Sequence, residues 1–301
     1  MNLSKIRTVG GRIWYTLNDR RYRKLTPLLI KECISNLEKW QPEKEKIRRI
    51  PGVNLNTIIN PSNWGNSEWL DCLKDMGEPL DFMHRKLWEY AQTLYGFKKL
   101  GVIKEDSTAL GVACGHEPVI FYLANNIALV YATDIYKGQF YQKSGGFADP
   151  SMLTTPEKFS PFPFKQEHLK VMRMDARKLE FPDETFDLIF CLSSIEHFGN
   201  YSKRLEGVHE IARVLKKGGI AAITTELILN NVKDKRYFDY DELKKLIAES
   251  GMKAVEKISF DIERIWFEKI SMHPMEEHLT PYFILQQGKT IFTSVMIFLE
   301  K

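Results

Sequence analysis

From about Asp106 onward, short apolar runs alternate with stretches of helical period. The runs at 107–113, 128–133, 169–174, 186–192, 219–225, 254–260 and 291–299 read as strands, and 117–126, 202–215 and 239–250 as helices. A repeated β-α-β order with nearly continuous apolar strands predicts an α/β fold: a doubly wound, mostly parallel seven-stranded sheet covered on both faces. The last run, Thr290 to Leu299, follows a strand with no helix between them, so it is expected to pair antiparallel.

The first 105 residues read differently, as a helical and loop-rich N-terminal extension or lid. Apolar positions Leu28, Leu29, Cys33, Ile34 and Leu37 recur at helical spacing behind Thr26 and Pro27. Residues 51–65 carry Pro, Gly and Asn clusters and predict a loop, whereas 67–76 and 80–97 have a helical period. The expected domain is thus 106–301, with insertions at 137–166, rich in proline, and at 261–289, containing His273-Pro-Met-Glu-Glu-His278. Both insertions should emerge at the ligand end of the sheet. The His273 to His278 stretch fits no strong metal spacing and reads as an exposed, solvated loop; no metal is expected.

Composition narrows the class. The 301 residues are 44% hydrophobic and 27% charged, the profile of a globular chain with a substantial core. The apolar runs are strand-sized and no secretory signal is visible, so a cytoplasmic protein is expected. Cys33, Cys72, Cys114 and Cys191 form no CxxC pair, which reads as reduced core thiols. The net charge of +4 is uneven: residues 1–50 hold 13 Lys/Arg and 5 Asp/Glu, leaving the remainder acidic. Arg20-Arg21-Tyr22-Arg23-Lys24 reads either as a solvated face or as a peripheral contact with an anionic membrane, on the inner face of the cell membrane. Nucleic acid is not expected, since the basic excess is confined to one end.

The chemistry gathers where strands end. Gly111-Val-Ala-Cys-Gly115 closes the first strand, and small residues such as Gly111, Ala113 and Gly115 let backbone approach a ligand. Glu117 opens the next helix, where a carboxylate is favoured by the dipole. Asp134 ends the second strand, about where an acid can accept from both ribose hydroxyls. Asp175 follows the third strand, placed to accept from an adenine amine or to cap a turn, and Ala176 leaves room for a ring. After the run from Phe186 come Ser193, Ser194, Glu196 and His197, at the carboxyl end where open α/β sheets bind ligands. His197 is either a general base or a packed floor residue; Glu196 either orients it or lies at the surface. These features point to an adenosine-type ligand.

In series, Ala109–Gly115, Tyr131–Asp134, Arg173–Ala176, Phe186–His197 and Glu210–Gly219 resemble the motifs of class I S-adenosylmethionine-dependent methyltransferases, of the type 11-like kind, over roughly 106–260 and 290–301. The resemblance implies a Rossmann-like fold, S-adenosylmethionine as cofactor, and a glycine turn against its methionine moiety. It further implies Asp134 on the ribose, Asp175 on the adenine amine, and the segment after Phe186 beside the methyl group. Two positions depart from the family pattern: Gly111 stands where an acid is common, and Glu117 where a third glycine is, so Glu117 either replaces that acid toward the cofactor's amino group or simply caps its helix. Met83-His-Arg-Lys-Leu-Trp-Glu89, the proline-rich insertion and Ile195–Gly199 resemble methyltransferases found among glycan-assembly enzymes, implying O-methylation of a sugar, glycolipid or other small hydroxyl acceptor. Trp88 and Tyr90 could stack on a sugar face. Two other readings stay open: a NAD-dependent oxidoreductase, which fits the glycine turn alone, and a degenerate methyltransferase-like binding module.

Overall fold

A computed structural model of the chain describes residues 24–42, 50, 53–137, 148–274 and 276–301. The basic stretch Arg20–Arg23, and with it the expected membrane contact, lies outside the described residues. In chain order the helices are α1 (Thr26–Trp40), α2 (Ser67–Asp75), α3 (Arg85–Leu100), α4 (Pro118–Asn126), α5 (Tyr201–Val214) and α6 (Tyr240–Glu249). The strands are β1 (Thr57–Ile58), β2 (Thr108–Val112), β3 (Leu129–Asp134), β4 (Leu169–Arg173), β5 (Phe186–Leu192), β6 (Leu215–Ile228), β7 (Lys253–Ala254), β8 (Ser271–Met272), β9 (Leu285–Gln287) and β10 (Thr290–Glu300).

The sheet runs β4-β3-β2-β5-β6-β10-β9-β8, with β1 and β7 also on β10. Strands β4, β3, β2, β5 and β6 are mutually parallel, and β10 lies antiparallel to β6, as its sequence context predicts. The chain leaves β2 toward β3 on one side and later returns to β5 on the other. That reversal opens a crevice at the carboxyl ends of β2 and β5, the place where doubly wound sheets bind ligands.

Local chemistry sets the helix ends that matter. Asn200 caps α5 by accepting from Lys203 N, and Asp239 caps α6 by accepting from Asp241 N and Glu242 N. The helical period at 80–97 yields a helix only from Arg85, because His84 is its cap: Nδ1 accepts from Lys86 N at 3.1 Å. Gly101, at φ +67°, ends it in the left-handed conformation that glycine tolerates best.

Three expectations need correction. The run at 254–260 pairs with β10 only as Lys253–Ala254. Beyond that, β1 has taken the β10 edge, with Thr57 opposite Met296 and Ile58 opposite Val295. The displaced segment follows β1 instead, Ile58 N donating to Ser259 O, and the buried Glu256 carboxylate accepts from Leu55 N and Asn56 N. The loop at 51–65 therefore contributes a strand. Third, only part of the insertion at 261–289 is exposed loop, around Pro274, Glu277 and His278 as expected for that stretch. The insertion adds β8 and β9 to the sheet, and Tyr282 is fully buried, with its hydroxyl 2.5 Å from His273 Nδ1. Tyr282 also bonds the start of α3, accepting from Arg85 N through its carbonyl and donating its own N–H to Met83 O.

Candidate active site

The turn after β2 is built tightly. A side chain on Gly111 would place its Cβ 2.6 Å from Cys114 Sγ and 2.7 Å from Phe190 Cζ, so glycine is required there by packing. The same crowding explains why no acid stands at this position. Ala113 takes φ +50° and Gly115 φ +48°. Ser193, at the end of β5, takes φ +49° and Tyr136, just beyond β3, takes φ +40°. Positive φ is costly for residues other than glycine, and such strain gathers where backbone is shaped for a ligand. Ser194 Oγ donates to Ala113 O at 2.9 Å, tying the β5 end to the glycine turn.

Asp134 is buried at the end of β3. Its Oδ2 accepts from Gly115 N at 3.1 Å and its Oδ1 from Ile135 N at 2.6 Å. Burial raises its pKa, against the pull of backbone donors at Gly115, Ile135 and Tyr136. Tyr136 closes the floor, its hydroxyl donating to Gly115 O. Met174 N donates to Asp134 O, so the strand end bearing Asp175 and the buried Ala176 lies alongside. The Asp175 carboxylate, however, is half exposed and forked by Arg177, with Nη2 at 2.6 Å and Nε at 2.9 Å. Hydrogen bonds from Arg177 keep its pKa low.

On the opposite wall, α3 delivers a compact charge cluster. Glu89 is fully buried, and its Oε1 accepts from Arg85 Nη1 at 2.9 Å, Ser193 Oγ at 2.9 Å and Ser294 Oγ at 2.6 Å. Its Oε2 faces Lys86 Nζ at 2.9 Å. Arg85 Nη1 also reaches Glu226 Oε1 on β6 at 2.8 Å. Burial opposes the charge on Glu226, but Arg85, Glu196, His197 and Lys86 outweigh it and hold its pKa down to about 2. The neighbouring Glu196 is the reverse case: burial and the Glu226 charge push its pKa well above the carboxylate range, while Oε2 accepts from Thr225 Oγ1. Glu196 therefore favours its neutral form and Glu226 its ionised form. His197 sits at the rim with an exposed surface, yet the protein around its ring lowers its pKa, with Glu226 pulling upward and Lys86, Arg85 and Arg204 downward.

Glu117, buried at the start of α4, is the least satisfied member. Its pKa is pushed up to about 8 by burial, which outweighs the attraction of Lys86 at 3.7 Å. Buried polar atoms ordinarily find partners. Leaving out Glu89 Oε2, which meets Lys86 Nζ, six buried side-chain atoms among the described residues find no hydrogen-bond partner, and four belong here: Arg85 Nε, Glu117 Oε2, Glu196 Oε1 and Glu226 Oε2. That concentration marks a site shaped for polar groups the chain does not itself supply.

The structure thus brings Ala113, Gly115, Glu117, Asp134, Ser193, Glu196 and His197 to one crevice, with Gly111 packed behind it and Asp175 turned to Arg177. Trp88 and Tyr90 are core residues, Trp88 fully buried with Nε1 on Asn63 Oδ1. Cys114 is likewise buried, its thiol pKa raised well above normal by burial. Sequence reasoning assigned no site role to Arg85, Lys86, Glu89 or Glu226. The available signals were an Arg-Lys-x-x-Glu spacing at the start of a helix, and an acid closing the run Ile220–Glu226.

Comparison with known proteins agrees with this geometry. The family model described as "Methyltransferase domain" matches residues 110–223, the stretch from β2 through the centre of β6. Residues 110–223 therefore carry a methyltransferase domain, of the kind whose cofactor is S-adenosylmethionine. The chain is 32% identical over 107 residues to sterol 24-C-methyltransferase ERG6B of Gibberella zeae; the match covers 32% of this chain and 27% of that relative's length. Among solved structures, it is similar to the [4+2]-cyclase SpnF, with 15% identity and a TM-score of 0.46 over 81% of this chain and 98% of that one. A SAM-dependent methyltransferase from Aquifex aeolicus shows 18% identity and a TM-score of 0.37, covering 67% and 87%. Among the described residues no helix is long and apolar enough to cross a membrane.

Proposed function

We propose that the chain transfers the methyl group of S-adenosylmethionine to a hydroxyl of a sugar, glycolipid or other small acceptor. The observation that supports this most directly is the group of unpartnered buried polar atoms at the carboxyl ends of β5 and β6 and the start of α4. The cofactor carries an already activated methyl, so the protein's task is to align acceptor oxygen, carbon and sulfur. Asp134 is placed for the ribose diol and the turn from Ala113 to Gly115 for the methionine moiety. Ser193 borders the cofactor, and Glu196 and His197 border the acceptor.

His197 serves as the base in this reading. Its lowered pKa keeps the imidazole neutral near neutral pH, and Glu226, held as a carboxylate, stabilises the imidazolium formed when a hydroxyl proton arrives. Glu196, as the neutral acid, accepts from Thr225 Oγ1 and leaves the negative charge to Glu226. A glycolipid acceptor would suit a cytoplasmic protein whose basic residues 1–24 touch an anionic membrane.

The test is transfer of labelled methyl from S-adenosylmethionine into cell extract fractionated by lipid, polysaccharide, protein and nucleic acid. Label in the lipid or polysaccharide fraction supports the acceptor class, and label confined to protein or nucleic acid overturns it. His197→Ala should slow transfer by about 10²-fold or more while S-adenosylhomocysteine affinity stays within about threefold. Undiminished turnover removes His197 from its role.

A further inference from the structure

Glu117 opens α4 with a carboxyl group that the chain satisfies only in part. Its Oε2 has no partner, and its Oε1 stands 3.7 Å from Lys86 Nζ, beyond hydrogen-bond length. Lys86 comes from another helix and commits two of its three donors elsewhere, to Glu89 Oε2 at 2.9 Å and to Leu192 O at 3.2 Å. The third donor is left for the space between Lys86 and Glu117.

The titratable and charged groups facing Glu117 are Lys86, Glu89 and Tyr90 on α3, Cys114 in its own turn, Asp134 and Tyr136 at the end of β3, and Cys191 on β5. Only Lys86 among them is cationic at neutral pH, and Glu89 already holds it. A buried carboxyl without donors, in that company, keeps its proton; the pKa pushed up to about 8 agrees. The position is nevertheless suited to negative charge, since Glu117 stands at the N-cap of a nine-residue helix, although its carboxyl makes no capping hydrogen bond. The acid that would otherwise meet a ligand's ammonium is missing at Gly111, where Phe190 and Cys114 fill the space.

We propose that Lys86 and Glu117 grip the amino-acid head of the cofactor as a pair, Lys86 holding its carboxylate and Glu117 its ammonium, and that Glu117 releases its proton to solvent as the cofactor enters. This rests on S-adenosylmethionine being the cofactor. It assigns the cofactor's carboxylate to a helix that precedes the methyltransferase domain. Cofactor binding is thereby linked to pH, because the free protein holds a proton that the complex does not.

Titration calorimetry of the full chain with S-adenosylhomocysteine, in two buffers of different ionisation enthalpy near pH 7, counts the protons. Most of one proton should leave per ligand bound, and Glu117→Gln should abolish the release while weakening binding by about tenfold or more. Lys86→Met should weaken S-adenosylhomocysteine by about 10- to 100-fold, with Lys86→Arg recovering most of the affinity. 5′-Methylthioadenosine, which lacks the amino-acid head, should bind with no proton release and equally well to all variants. If S-adenosylhomocysteine binds without releasing a proton, or if Lys86→Met loses both ligands alike, the proposal is overturned and the cofactor reading stands. If S-adenosylhomocysteine does not bind the unaltered protein at all, both fall.

Discussion

Replacing Glu89 by Ala asks whether the cluster beneath the site is truly buried. Glu89 is fully excluded from solvent and holds Arg85 and Lys86 at 2.9 Å each, along with the hydroxyls of Ser193 and Ser294. Its removal leaves two cations facing one ionised carboxylate, Glu226, because Glu117 and Glu196 are held in their neutral forms. Breaking a buried ion pair by removing one partner costs about 3–5 kcal/mol, and each hydroxyl left without its acceptor adds up to about 1 kcal/mol. The expected loss of about 3–7 kcal/mol is large against a total stability of about 5–15 kcal/mol. Urea unfolding at matched m-value measures it. Glu89→Gln keeps the shape and one acceptor oxygen, so it should lose less than Glu89→Ala. A loss below about 1 kcal/mol for Glu89→Ala would refute the reasoning, since it is the behaviour of a solvated surface pair.

Two further outcomes follow from packing and titration. Gly111→Ala should cost about 1–3 kcal/mol in urea unfolding, because its Cβ meets Cys114 and Phe190, while S-adenosylhomocysteine affinity of the folded protein stays unchanged; loss of affinity with unchanged stability would make Gly111 a ligand contact instead. His84 and His273 are held neutral down to about pH 4, His84 by burial and then Arg85, His273 by burial and then Arg85. Their folded pKa values lie below the unfolded one, so the unfolded chain binds more protons in that window. Stability from these two residues is therefore present above about pH 6.5 and is lost as pH falls toward 4. Relative to a His84→Gln, His273→Gln variant, the unaltered protein should lose stability across that interval, and parallel pH profiles would contradict the shifts.

What the sequence discloses here is whatever depends on local pattern. The runs of β2 to β6 and β10 are apolar, the helices between them are amphipathic, and Asp134 and Ser193 fall at strand ends where pattern alone puts them. The edge of the sheet is not local. Whether β10 pairs with 254–260 or with Thr57 and Ile58 is decided by Glu256, whose buried carboxylate takes amides some 200 residues away. The site's charge cluster is hidden for the same reason: Arg85, Glu89, Ser193, Glu226 and Ser294 meet only when α3 crosses the ends of β5, β6 and β10. Gly111 shows a third limit. Its sequence context reads as a ligand turn, yet a core phenylalanine and a thiol dictate the glycine.

The account stands on the crevice being an S-adenosylmethionine site. Titration calorimetry of the unaltered chain, with S-adenosylhomocysteine and separately with NAD, tests that directly. The account predicts saturable one-to-one binding of S-adenosylhomocysteine and no heat beyond dilution with NAD. Binding of NAD alone, or of neither ligand, would contradict it.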